Sequence, residues 1–232
     1  MHVDRRSFVR MSLQAVSLLG VAPSLRADDS PSNSPDAVRP IRVRIWCEAL
    51  ASQSVYPDGI GGALAESLGR LPELEIARAS PAAGLADADL DAADVLIWWG
   101  RYRHDEVPDA RADAVVERVR AGKLGLLALH ASCGGKPFGR LMDSMPCEPG
   151  SWREDGKPER VTVRSPEHPI ARGIESFTIP QSDMFSEPFA VPEPESVVFV
   201  SNWERGETVR SGLTWTVDKG RVAYLRAGSE AY

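Results

Sequence analysis

In this chain of 232 residues, the side chains best suited to chemistry are two histidines and the carboxylates and thiol around them. His130 closes an apolar run, Leu124-Gly125-Leu126-Leu127-Ala128-Leu129, and opens a small-residue turn, Ala131-Ser132-Cys133-Gly134-Gly135. A residue at such a strand-to-turn junction is presented at the sheet edge, as a nucleophile elbow presents its serine. An imidazole there can shuttle a proton, polarise a carbonyl or bind a metal; the competing reading is a histidine hydrogen-bonded to backbone for structural reasons. His104 lies beside Asp105 and Glu106, either as its partner or as part of a solvated charge cluster. Cys133, three residues after His130, is a conceivable thiolate nucleophile, although nothing in the sequence marks it as activated and a cleft-lining thiol is the simpler reading.

Glu48 and Glu230 add carboxylates. With His130 and His104, Glu48 completes an adequate zinc set, so zinc is a possible cofactor, although the sequence names no metal outright. No closely spaced HExxH motif is present, nor a Walker-type phosphate loop, nor GxSxG. Trp98 and Trp99 face opposite ways on a strand, so Trp99 is a candidate to line a cleft along with Arg101. Trp203 and Trp215 can stack on sugar rings, but core packing is the safer assignment for both.

These residues need a scaffold. Residues 41–46 alternate and are β-rich, and 59–70 carry Ile60, Ala63, Leu64 and Leu68 at helical spacing. A short strand is expected at 74–79. Residues 94–99 form a nearly continuous apolar run, the mark of a strand buried on both faces. A helix over 108–122 has proline in its first turn and Gly122 as its stop; a strand over 124–129 and a short helix over 137–142 follow. Strand–helix alternation implies a parallel sheet with right-handed crossovers. Beyond Gly150 the pattern turns to strands, at 160–164, 197–201, 208–217 and 221–226, the last two joined at Asp218-Lys219-Gly220. The expected fold is α/β: a doubly wound, mostly parallel sheet with antiparallel strands added in the C-terminal third. In open parallel sheets ligands bind beyond the carboxyl ends of the strands, which gathers Cys47-Glu48, Gly100 to Glu106, His130 to Gly135 and Gly228 to Glu230 at one edge. His168, before Pro169, reads as a turn residue.

The N-terminus carries a different signal. Asp4-Arg5-Arg6-Ser7-Phe8-Val9-Arg10 and the apolar run that follows have the layout of a twin-arginine export leader. The run is shorter than the about 20 residues that span a bilayer. The expected organisation is a leader over 1–27, a polar Ser/Pro/Asp-rich linker over 28–40 and one domain over 41–232, working in the periplasm without a membrane anchor. Removing the leader takes away four arginines and one aspartate and moves the net charge from −6 to −9. So acidic a domain repels nucleic acid and anionic lipid. Three cysteines, Cys47, Cys133 and Cys147, cannot all pair internally; packing roles suit them better than a disulfide framework.

Taken in order, Tyr56-Pro57-Asp58-Gly59-Ile60, Asp94 to Gly100, His104-Asp105-Glu106-Val107-Pro108, Leu129-His130, Arg140-Leu141-Met142 and Trp152-Arg153-Glu154 make a pattern. It continues through His168-Pro169-Ile170, Glu187-Pro188-Phe189, Arg210-Ser211-Gly212 and Trp215. The pattern resembles the ThuA-like (trehalose utilisation) family, of class I glutamine-amidotransferase-like fold, over residues 42–232. The resemblance implies a small-molecule sugar as partner, trehalose or a related disaccharide or its 3-keto derivative. By the same resemblance Glu187 and Glu230 join the substrate-binding residues. The chain departs from the family where Cys47 replaces Asn, Arg101 replaces His, and His130-Ala131-Ser132-Cys133 replaces His-Ser-Gly-His; it also stops short of the family's Gly-His-Glu-Thr-Tyr-Pro and closing helix. Three readings follow. One is an acid–base or metal-assisted enzyme built on His130, His104 and Glu48. Another is a carbohydrate-binding relative with a thinned histidine site. The third is an interaction protein docking through its short C-terminus, for which an oligomer is possible.

Overall fold

The computed structural model describes residues 5–20, 39–48, 55–79, 85–144, 149–229 and 231. Along the chain run α1 (Arg5–Leu19), β1 (Ile41–Cys47), α2 (Gly59–Leu68), β2 (Leu74–Arg78), α3 (Asp87–Asp91), β3 (Val95–Trp99), α4 (Asp109–Arg120), β4 (Gly125–Leu129) and α5 (Lys136–Leu141). The C-terminal part supplies β5 (Ser151–Val163), β6 (Phe177–Ser186), β7 (Ser196–Asn202), β8 (Thr208–Val217) and β9 (Gly220–Leu225).

Among the described residues, nine strands join one sheet in the order β2-β1-β3-β4-β9-β8-β7-β5-β6. The first five are parallel to their neighbours, and the pairings from β9 to β6 are all antiparallel. The α/β class is as expected, but a doubly wound, mostly parallel sheet is not: the antiparallel half is as wide, and its strands are the longer ones. The physical reason is the lack of helical sequence after α5. Without crossover helices, successive strands can only return antiparallel.

Alternation along the strands builds two cores. On β3, Leu96 and Trp98 face one way, towards Val115 and Val119 of α4 and Phe138 of α5. Val95, Ile97 and Trp99 face the other, towards Ile60, Leu64 and Leu68 of α2. On this second face α1 also packs, burying Met11, Ala15, Val16 and Leu19 to 2% exposure or less. Gln14 Nε2 donates to the Arg172 carbonyl at 2.6 Å, and an Arg221 guanidinium nitrogen donates to the Leu18 carbonyl at 2.6 Å. Gly125 permits this approach, since a Cβ there would lie 2.6 Å from the Leu19 carbonyl oxygen. Within the segment expected to be an export leader, Arg5–Leu19 is thus a helix seated on the sheet. Among the described residues no helix is long and apolar enough to cross a membrane.

The parallel strands end in register. Cys47 pairs with Trp99, Trp99 with Leu129, and Leu129 with Leu225. Residues 48, 100, 130 and 226 therefore leave the sheet side by side at one edge, the convergence expected from the sequence.

Candidate functional site

His130 begins a short 3-10 turn, His130–Gly134, with a positive φ of 53°. A non-glycine residue in this left-handed region carries backbone strain of about 1 kcal/mol or more, so its surroundings must hold it there. Its carbonyl accepts from the Tyr224 hydroxyl at 2.8 Å. Its Nδ1 lies 3.1 Å from the Arg226 carbonyl oxygen. A carbonyl only accepts, so Nδ1 carries the proton, and Nε2 is left as the basic nitrogen. Nε2 points at Asp183, with 3.8 Å to Oδ2, beyond direct hydrogen-bonding range. Beside the ring, Phe185 presents an edge at 5.6 Å between centroids.

The imidazole is 5% exposed. Burial, together with the positive charges of Arg226 and Arg101, pushes its pKa down to about 3. At neutral pH it is an uncharged ring. The Asp183 carboxyl, itself buried, is raised by desolvation, an effect offset only in part by hydrogen bonds from Ser229 Oγ and Trp152 Nε1.

A second buried pair lies beneath. Arg226 makes an ion contact of 2.8 Å with Glu159 and donates to the Asp183 carbonyl. Glu159 takes further hydrogen bonds from Ser182 Oγ and Ser201 Oγ at 2.5 Å each, and from the Gly228 amide at 3.2 Å. The guanidinium lies over the rings of Phe185 and Trp203. Burying a charge pair is costly, and the hydrogen bonds to the Glu159 oxygens offset part of that cost. The sequence reading missed Asp183, Glu159 and Arg226. The available signal was Arg226 itself: a cation ending the apolar strand Gly220–Leu225 needs a buried anion, and Glu159 supplies it.

Other expected site residues have different employment. Glu48, expected to be catalytic, is 4% exposed, and its carboxylate accepts from the Tyr102 amide at 2.9 and 3.1 Å and the Arg103 amide at 2.8 Å. It anchors the loop after β3, because three backbone N–H contacts there have no strand partner. Trp99 is 3% exposed in the α2-side core and presents no face to a cleft. Cys133 is buried in the opposite core. Burial pushes the Cys47 thiol up to about 12, the wrong direction for a nucleophile. Glu187 binds Arg210 at 2.8 Å and caps the Phe189 amide, which holds its carboxyl below the usual range despite burial. His168 Nδ1 accepts from the Ile170 amide, the turn role expected of it. Trp203 and Trp215 are core residues, as anticipated. The side chain of His104, together with Cys147 and Glu230, lies outside the described residues.

Arg101, from the loop after β3, reaches the same cluster. Its guanidinium sits 3.6 Å from Asp183 and 3.5 Å from Glu154, and lies over both the Tyr102 and Trp152 rings, at 4.9 and 5.1 Å from their centroids. Those two rings are the exposed large hydrophobic side chains of the described structure. Among the described residues no group of three or more His, Cys, Asp or Glu side chains gathers as a metal site. The zinc set of His130, His104 and Glu48 lacks Glu48, whose oxygens are committed to backbone.

A family model described as ThuA, trehalose utilisation, matches residues 42–232. The chain belongs to the ThuA family. Among solved structures, the ThuA family is represented by a ThuA-like protein from Bacteroides uniformis ATCC 8492. It is 16% identical with a TM-score of 0.60, and the match covers 85% of this chain and 86% of that one. A β-galactosidase from Rahnella sp. R3 is similar at 12% identity and a TM-score of 0.49, over 83% of this chain and 29% of the larger protein. No curated protein matches.

Proposed function

We propose that this ThuA-family chain serves the utilisation of trehalose or a related disaccharide by holding a sugar at the carboxyl edge of its sheet. Export on the twin-arginine leader to the periplasm belongs to this reading, as does a glutamine-amidotransferase-like origin for the parallel half. The observation that carries the choice of binding over acid–base chemistry is the burial of His130, 5% exposed. An imidazole that is nearly sealed and held neutral is a poor proton carrier near pH 7, because efficient general acids and bases titrate close to the working pH. With Glu48 spent on the loop, the described residues retain a rigid polar floor more than a proton relay.

The enzyme reading keeps one specific support, the unprotonated Nε2 facing a carboxyl of raised pKa. Such pairs of titratable groups pushed apart by their environments mark acid–base sites elsewhere. Incubating the protein with trehalose and its 3-keto derivative, and following sugar signals by NMR, separates the two readings. Saturable binding without new products is expected. Turnover that His130→Ala abolishes at unchanged melting temperature would overturn the choice.

A further inference from the structure

Tyr102 and Trp152 come from opposite halves of the sheet, one from the loop after β3 and one from the start of β5, yet they meet on one guanidinium. Tyr102 is 65% exposed and Trp152 48%. Neither is loosely held. The Tyr102 amide is bound by buried Glu48, and the Trp152 indole Nε1 donates to Asp183 Oδ2 at 3.4 Å. Arg101 lies over both rings while making ion pairs with Asp183 and Glu154. Large aromatic area left in water has a solvation cost, and fixing the rings in place adds ordering entropy. Two solvent-facing rings sharing one guanidinium above a polar floor are the arrangement that binds a ligand with one apolar face and a polar rim.

The surrounding charge narrows the ligand. Arg101 pairs with Asp183 and Glu154, Arg226 pairs with Glu159, the Glu48 carboxylate holds the Tyr102 and Arg103 amides, and His130 is neutral; Arg103 is paired with exposed Glu106. Negative groups outnumber positive ones, so the field repels an anionic ligand. A pyranose ring offers an apolar face of C–H bonds and a rim of hydroxyls, and it fits when it carries no phosphate or carboxylate.

We infer that Trp152 and Tyr102, clamped by Arg101, form the stacking platform for an uncharged pyranoside ring, so that unphosphorylated sugars are the ligands of this edge. The inference rests on the carbohydrate reading above and adds the contact residues and the charge class. Calorimetric titration with trehalose and with trehalose 6-phosphate tests it, on the wild-type chain and on Trp152→Ala, Trp152→Phe and Tyr102→Ala. The wild type is expected to bind trehalose. Trp152→Ala weakens binding by about tenfold or more, as loss of a central aromatic anchor does. Trp152→Phe restores most of the affinity, and the phosphorylated sugar binds at least about tenfold more weakly, a difference of about 1.4 kcal/mol. Trehalose binding unchanged in both alanine variants would overturn the platform and leave the carbohydrate reading standing. Equal or tighter binding of the phosphorylated sugar overturns the charge argument. No binding of either sugar by the wild type overturns both readings together.

Discussion

At the scale of single residues, His130 carries a consequence that pH can read. Its folded pKa is depressed to about 3 against an unfolded value of about 6.5. Between those values the unfolded chain binds the proton and the folded chain does not, so stability falls as pH drops through that window. The raised pKa of Asp183 acts in the opposite sense, favouring the fold where its carboxyl is protonated. Comparison with His130→Asn, which cannot titrate, isolates the imidazole. Urea unfolding from about pH 7 down to pH 4 should show the wild type losing up to about 1.4 kcal/mol per pH unit more than the variant. Parallel curves would mean that the ring is open to water. Glu48 gives a second residue-level prediction. Glu48→Ala leaves the Tyr102 and Arg103 amides without their acceptor and should lower stability by about 1–3 kcal/mol in urea unfolding, with Glu48→Gln milder because one oxygen acceptor remains. A neutral Glu48→Ala would remove the loop-anchor role. His130 and Arg101 were legible in the sequence because each follows an apolar strand at the carboxyl edge. Asp183 and Glu159 were not, because their roles come from cross-strand pairing, which leaves no periodic trace.

At the scale of elements, α1 behaves as part of the second core in the chain that still carries the leader. Its four buried apolar side chains cover the face that Ile97, Leu127 and Ala223 present. Val16, fully buried, tests this contact: Val16→Asp places a carboxylate among apolar groups and should cost about 3 kcal/mol or more, read as a fall in melting temperature with new binding of a hydrophobic dye. An unaltered melt would show that the helix adds nothing to the domain. Gly220 tests the β8–β9 turn against α4. A Cβ there would lie 1.9 Å from the Val119 carbonyl oxygen, so Gly220→Ala must displace backbone and should destabilise by about 1–3 kcal/mol. The parallel strands were readable because burial on both faces writes continuous apolar runs such as residues 94–99. β6 was unreadable. It is an edge strand containing Pro180, Gln181, Ser182 and Asp183, and only an edge tolerates proline without losing a ladder hydrogen bond. The first half of β5, rich in charge and interrupted by register shifts, hid for a related reason.

At the scale of the whole molecule, one continuous sheet joins two halves, parallel and helix-covered on one side, antiparallel on the other. The β4–β9–β8 junction runs through the middle of the site, since His130 leaves β4, Arg226 leaves β9, and Asp183 arrives from β6. Floor and fold therefore depend on each other, and neither half can loosen without dismantling the His130–Asp183 and Arg226–Glu159 contacts. Far-UV dichroism and tryptophan fluorescence should accordingly report one coincident unfolding transition; two separated transitions would mean that the halves are independent. The central claim is that this junction holds a sugar without moving a proton. It is tested most directly by titrating the protein with trehalose by calorimetry, in buffers of different ionisation heat, between about pH 6 and pH 8. The account predicts saturable binding with the same enthalpy in every buffer and an affinity flat across the range. Binding that takes up or releases a proton, with an affinity that turns near the ordinary histidine pKa, would contradict it.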